Sequence, residues 1–79
     1  MEKWPEKYPA VVAMCPPTTY LVAVSKTRGY IANLYSRTRF PETYIDTILG
    51  MTGDEFVELD DYDYDLIPEI ETLPVEGPP

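Results

Sequence analysis

Histidine is absent from the 79 residues, and cysteine occurs once, at Cys15. Without an imidazole there is no Ser-His or Cys-His couple, no histidine metal ligand and no histidine general base. A single thiol cannot close an internal disulfide, and it leaves no thiolate set for zinc. Cys15 ends an apolar run, where a thiol usually serves as a small buried hydrophobe. Glycine is sparse as well: Gly29, Gly50, Gly53 and Gly77 form no phosphate-cradling loop. Long apolar runs are also missing. The longest, Ala10 to Cys15, falls far short of the roughly 18–20 residues of a membrane helix. Two carboxylates could still run acid–base chemistry, but only in a cleft that gives them different environments. A chain this short hardly builds one. The expectation is therefore a protein with no enzymatic activity, no cofactor, no metal and no membrane span.

Charge of one sign is missing from half of the chain. Lys3, Lys7, Lys26, Arg28, Arg37 and Arg39 all precede residue 41, where only Glu2 and Glu6 oppose them. Residues 41–79 carry twelve carboxylates and no basic side chain, which brings the whole to −8. An imbalance of this size bears on partners and association rather than on fold. The expected partner is basic, and anionic lipid headgroups would repel such a surface. Met1-Glu2-Lys3-Trp4-Pro5 lacks the apolar run of a signal peptide, so the expected compartment is the cytoplasm.

With 44% hydrophobic and 13% aromatic residues, the chain is too apolar to be wholly disordered. The pattern predicts one small α+β domain over 10–67, an extended lead-in over 1–9, and a disordered acidic, Pro-rich tail over 68–79. The sheet is expected to be mainly antiparallel with three or four strands. Ala10–Cys15 lies between prolines and reads as a strand. Tyr20–Ser25 and Tyr30–Tyr35 read as a hairpin around Lys26-Thr27-Arg28-Gly29, with the glycine supplying a positive φ. Alternation sets Ile31 and Tyr35 on one side of the return strand, and Tyr30, Ala32 and Leu34 on the other.

One helix is expected near 41–50. Pro41 and Glu42 suit its first turn, and Tyr44, Ile45, Ile48 and Leu49 make its apolar stripe. Gly50 or Gly53 would cap it. Asp54–Asp61, with Phe56, Val57 and Leu59, reads as a strand or an irregular segment. From Pro68 onward, prolines and glutamates describe an extended tail. Self-association into a homodimer would suit seven tyrosines and a thin core.

The most unusual stretch is Asp60-Asp61-Tyr62-Asp63-Tyr64-Asp65. If extended, Asp61, Asp63 and Asp65 share one face at intervals of about 6.6–6.8 Å, with Tyr62 and Tyr64 on the other. Duplex DNA carries about one negative charge per 1.7 Å, so twelve carboxylates match the charge of roughly 20 Å, or about six base pairs. Tyrosines suit such a surface because their rings offer contact area and attract Arg or Lys. The candidate binding residues are Glu55, Glu58, Asp60, Asp61, Tyr62, Asp63, Tyr64 and Asp65. The plainer reading is a solvated acidic linker.

Asp61, Asp63, Asp65 and Glu69 also fall at four EF-hand ligand positions, but Leu66 stands where the turn needs glycine and Thr72 where a bidentate glutamate belongs. A calcium loop is not expected. Lys26, Arg28, Arg37 and Arg39 could form a small nucleic-acid patch, but the acidic half would repel the phosphates; some of these cations are expected instead to pair with the acidic segment.

In size, acidity, lack of catalytic motifs and acidic–aromatic texture, the chain resembles the DNA-mimic inhibitors that bacteriophages use against host proteins. That resemblance implies a basic DNA-binding target: an HU-type histone-like protein first, because a small protein covers a short basic groove most readily, with RNA polymerase or a nuclease next. The alternative is an adaptor that docks through its apolar hairpin and helix, with the acidic tail for solubility. In a third reading the Pro-rich tail is itself a linear motif.

Overall fold

A computed structural model of the chain describes residues 4–14, 18–52 and 62–76. Five strands, β1 (Ala10–Met14), β2 (Thr19–Ala23), β3 (Arg28–Asn33), β4 (Thr38–Arg39) and β5 (Thr43–Tyr44), form one antiparallel sheet. The order is β1-β2-β3-β4, and β5 pairs with the other end of β3. Among the described residues two short helices follow, α1 (Ile45–Thr52) and α2 (Ile67–Glu71). The mixed α+β class and the antiparallel sheet agree with the sequence pattern. Among the described residues no helix is long and apolar enough to cross a membrane.

The sheet is buried on both faces. Ala10, Val12, Leu21 and Ala23 meet Ile45 and Ile48 of α1 on one face, with Trp4, Tyr8, Ile31 and Leu49 packed around them. Val11, Val22, Tyr30 and Ala32 meet Ile67, Ile70 and Leu73 on the other. Strands covered on both sides read as continuous apolar runs rather than alternating ones, which is why Ala10–Ala13 and Leu21–Ala23 lack polar residues. A β-bulge in β1 passes over Val12, since Val11 pairs with Val22 and Ala13 with Leu21. The extra residue shifts the alternation and brings Val12 and Ala13 into the same core.

Several boundaries differ from the sequence expectation. Gly29 lies inside β3 opposite Ala23, and the turn is Val24–Thr27, where Ser25 Oγ accepts from the Thr27 and Arg28 amides at 3.3 and 3.2 Å. Glycine is required at 29 by a close approach, not by φ: a Cβ there would stand 2.3 Å from the Val22 carbonyl oxygen. A left-handed φ occurs instead at Arg37, φ 61°, in the β3–β4 turn. Pro41 and Glu42 do not start a helix. Thr43 and Tyr44 pair with Gly29 and Arg28 instead, so α1 begins at Ile45 and runs through Gly50 to Thr52. Tyr44 is consequently exposed rather than part of the apolar stripe.

The largest correction concerns the tail. Residues 68–76 are not an extended appendage: Pro68 sits in the first turn of α2, where its missing N–H costs nothing. Ile70 is 0% exposed and Leu73 4%, so the core runs past residue 67. The expected strand or irregular segment at 54–61, and Cys15, lie outside the described residues.

Candidate partner-binding surface

Residues 62–76 cross the whole second face of the sheet as a strap. At one end Val11 and Asp63 exchange backbone hydrogen bonds of 2.9 and 3.1 Å, which places 62–64 along the outer edge of β1. At the other end Val75 pairs in parallel with Arg39 of β4, through Arg39 N–H to the Pro74 carbonyl at 3.0 Å and Glu76 N–H to the Arg39 carbonyl. Both outer strands thus meet a segment of the strap, a protection that exposed sheet edges generally need.

Between its ends the strap turns at Asp65, whose N–H donates to Asp63 Oδ1 at 2.8 Å. The Ile67, Ile70, Leu73 spacing of three then holds α2 to the sheet. Arg39 ties down the far side: its guanidinium stacks 5.2 Å from the Tyr30 ring and its Nε donates to the Leu73 carbonyl at 3.1 Å.

Because the apolar residues of the strap face the sheet, its charges face solvent. Asp63, Asp65, Glu69, Glu71 and Glu76 are all exposed. Arg37 takes Glu69 at 2.8 Å, and Arg28 takes Glu42 at 2.6 Å. Two of the cations Lys26, Arg28, Arg37 and Arg39 are therefore paired among the described residues, but with Glu42 and Glu69, which lie outside the 60–65 segment expected to receive them. The hydrogen bond from Arg28 to Glu42 raises the guanidinium pKa further above its ordinary value. Among the described residues Asp46, Asp63, Asp65, Glu71 and Glu76 make no ion pair.

The expected ladder of anions is only partly present. Glu55, Glu58, Asp60 and Asp61 lie outside the described residues. Asp63 is extended, but the turn at Asp65 breaks the interval that would continue the ladder. Tyr62 is half-buried against the α1-side core and serves packing there. Tyr64 is 39% exposed, with Lys7 Nζ 5.7 Å from its ring centroid. The structure adds Glu71 and Glu76, which sequence reasoning had assigned to a disordered tail. The signal was the apolar spacing Ile67, Ile70, Leu73, with glutamates between.

Tyr8, Tyr62 and Tyr64 gather beside this edge. Burial, and then the neighbouring Tyr62 and Tyr64 hydroxyls, raise the Tyr8 pKa above its ordinary value, and its buried hydroxyl has no hydrogen-bond partner among the described residues. Depressions lined by described residues lie elsewhere. An open one of about 590 Å³ carries Lys26 and Asp46 between Trp4 and Tyr44. A groove of about 170 Å³ lies at the β3–β4 end. Among the described residues no three acidic or thiol side chains gather to hold a metal. Comparison with protein-family models, with curated proteins and with solved structures returns no match.

Proposed function

We propose that the chain is a non-enzymatic acidic binding protein that occupies the DNA-binding surface of a basic partner and excludes DNA from it. The observation that carries this reading is the strap. Asp63, Asp65, Glu71 and Glu76 stand on a packed scaffold, point to solvent and have no cation partner among the described residues. A fixed array of anions meets a basic groove without the ordering cost that a disordered acidic tail would bear. Glu55, Glu58, Asp60 and Asp61, which lie outside the described residues, would add to the negative charge offered to the partner, with Tyr64 as an aromatic contact. An HU-type histone-like protein is the first candidate, with RNA polymerase or a nuclease next, all in the cytoplasm.

The test is capture of partners from a DNase-treated bacterial lysate on the tagged protein, eluted with a salt gradient. A basic DNA-binding protein that leaves at moderate salt and is competed away by duplex DNA supports the proposal. A partner that survives high salt and ignores DNA rejects it in favour of the adaptor, for which the 85% exposure of Tyr35 on the β3–β4 turn is the specific observation.

A further inference from the structure

The groove at the β3–β4 end lies on the sheet face opposite α2. Leu21 pairs with Ile31 and Thr19 with Asn33, and Asn33 pairs in turn with Thr38. Ile31 packs against the α1-side core, so this row shares the α1 side. Phe40 continues it, anchored by its N–H to the Ile31 carbonyl at 2.8 Å, and stays 47% exposed.

The walls are held in place. Asn33 Oδ1 accepts from the Tyr35 and Ser36 amides at 2.8 and 3.0 Å, and Ser36 Oγ and Thr38 Oγ1 are 2.9 Å apart. Arg37 takes the left-handed φ that completes the turn, a conformation that costs a non-glycine residue about 1–2 kcal/mol.

The charge of this groove decides what it can hold. Arg39 and Glu76 both line it, but they are not equivalent there. Arg39 pairs with Ala32, and its guanidinium is engaged on the other face by the Tyr30 ring and the Leu73 carbonyl. Val75 bridges Arg39, so strand alternation turns Glu76 to the groove side. Glu76 is exposed and makes no ion pair among the described residues. The groove therefore combines an accessible aromatic ring, an uncompensated carboxylate and hydroxyl acceptors, which is the chemistry that holds a guanidinium.

We propose that this groove binds an arginine side chain of the protein partner, with Phe40 stacking on the guanidinium and Glu76 accepting its hydrogen bonds. The inference rests on the reading of the partner as basic, and the −8 net charge of the chain supplies the complementarity. It adds a second contact, at the opposite edge of the sheet from Asp63, so that a partner would be engaged at two points.

The test uses the intact protein and a defined probe. N-acetyl-arginine amide is titrated into the 15N-labelled chain, with N-acetyl-citrulline amide as the neutral isostere. The expected result is saturable amide shifts at Asn33, Ser36, Thr38, Phe40 and Glu76 with arginine and not with citrulline. Glu76→Gln should weaken the arginine response about fivefold or more, and Phe40→Leu should weaken it too, whereas Asp46→Asn, at an exposed carboxylate outside the groove, should leave it unchanged. Equal shifts with citrulline, non-saturating shifts spread over all the acidic residues, or an unaffected Glu76→Gln would each overturn the proposal. Arginine binding without any DNA-competed partner would leave the groove standing and remove the mimicry reading; the reverse would remove the groove alone.

Discussion

Val11 and Asp63 face each other across the outer edge of β1 and exchange two backbone hydrogen bonds, at 2.9 and 3.1 Å. Residues far apart in sequence thereby lock the acidic strap to the first strand. Asp63→Pro deletes the N–H that serves the Val11 carbonyl, and the loss should cost about 1–3 kcal/mol. Asp63→Ala keeps both backbone bonds and loses the carboxylate contact to the Asp65 amide, a smaller effect. Urea midpoints of the two variants make the comparison; equal midpoints would show that the latch does not contribute.

Ile70 carries the same logic into the core. It is fully buried under the sheet between Ile67 and Leu73, and Ile70→Ala should cost about 2–5 kcal/mol. A domain of this length has roughly 4–12 kcal/mol in total. The variant should therefore melt far earlier, and a chain ending at residue 66 should lack a cooperative transition. A cooperative thermal unfolding curve for that truncation would restore the tail to the role of an appendage.

β1, β2 and β3 were legible in sequence because each lies in an apolar run with β-branched or aromatic residues bounded by Pro, Gly or a polar turn, whereas the two-residue strands β4 and β5 carry no such run and were not foreseen. The hairpin was legible too, but Gly29 was misread: a turn glycine and a glycine forced by a neighbouring carbonyl look alike until the Val22 carbonyl is in view. The start of α1 shifted because Thr43 and Tyr44 could join β3 or a helix, and the backbone partners on β3 decided it. Composition misled most at 68–76. Proline and glutamate counts describe disorder, yet Ile67, Ile70 and Leu73 at intervals of three cover the sheet face that Val11, Val22, Tyr30 and Ala32 would otherwise leave open. Among the described site residues, Asp63, Tyr64 and Asp65 are exposed, whereas Tyr62 is half-buried against the α1-side core.

The two glycines amenable to comparison should respond in opposite directions. At Gly29 a methyl group would stand 2.3 Å from a backbone oxygen and within 3.3 Å of the Ala23 Cα, so Gly29→Ala must displace β2 from β3 and should cost about 1–3 kcal/mol. At Gly50, inside α1, a methyl group meets nothing within 4 Å. Gly50→Ala should stabilise by about 0.5–1 kcal/mol through helix propensity. Thermal melts of both variants check the pair, and a destabilised Gly50→Ala would mean that the helical assignment fails there.

Tyr8 predicts an alkaline limit. Its pKa is raised in the fold by burial and by the Tyr62 and Tyr64 hydroxyls beside it. The unfolded chain therefore releases that proton at a lower pH than the folded one. The stability linked to Tyr8 is complete below the ordinary tyrosine range, near pH 10, and is lost as pH rises through the folded value. Tyr8→Phe removes a buried hydroxyl that has no partner among the described residues, so it should be neutral or stabilising at pH 7 and should flatten the loss above the ordinary tyrosine range, near pH 10. Urea midpoints of the two proteins over that range test it; parallel pH curves would assign the alkaline loss to other groups.

Salt should stabilise the isolated protein. Two opposing terms are present: attraction in the exposed pairs Arg28–Glu42 and Arg37–Glu69, and repulsion among the twelve carboxylates of residues 41–79, which no basic residue of that half offsets. Salt screens both, since the Debye length falls from about 10 Å at 0.1 M to about 3 Å at 1 M. Exposed pairs contribute little, whereas self-repulsion grows with the number of like charges held on one scaffold. Repulsion should dominate, and raising NaCl from about 0.02 to 0.5 M should lift Tm by several degrees, with each 1 kcal/mol worth about 4–8 °C in a domain this small. Replacing Glu71 and Glu76 with Gln should raise Tm at low salt and shrink the salt response. A Tm that falls with salt would mean that the two ion pairs outweigh the acidic array, and that the strap does not carry the uncompensated charge on which partner binding is argued.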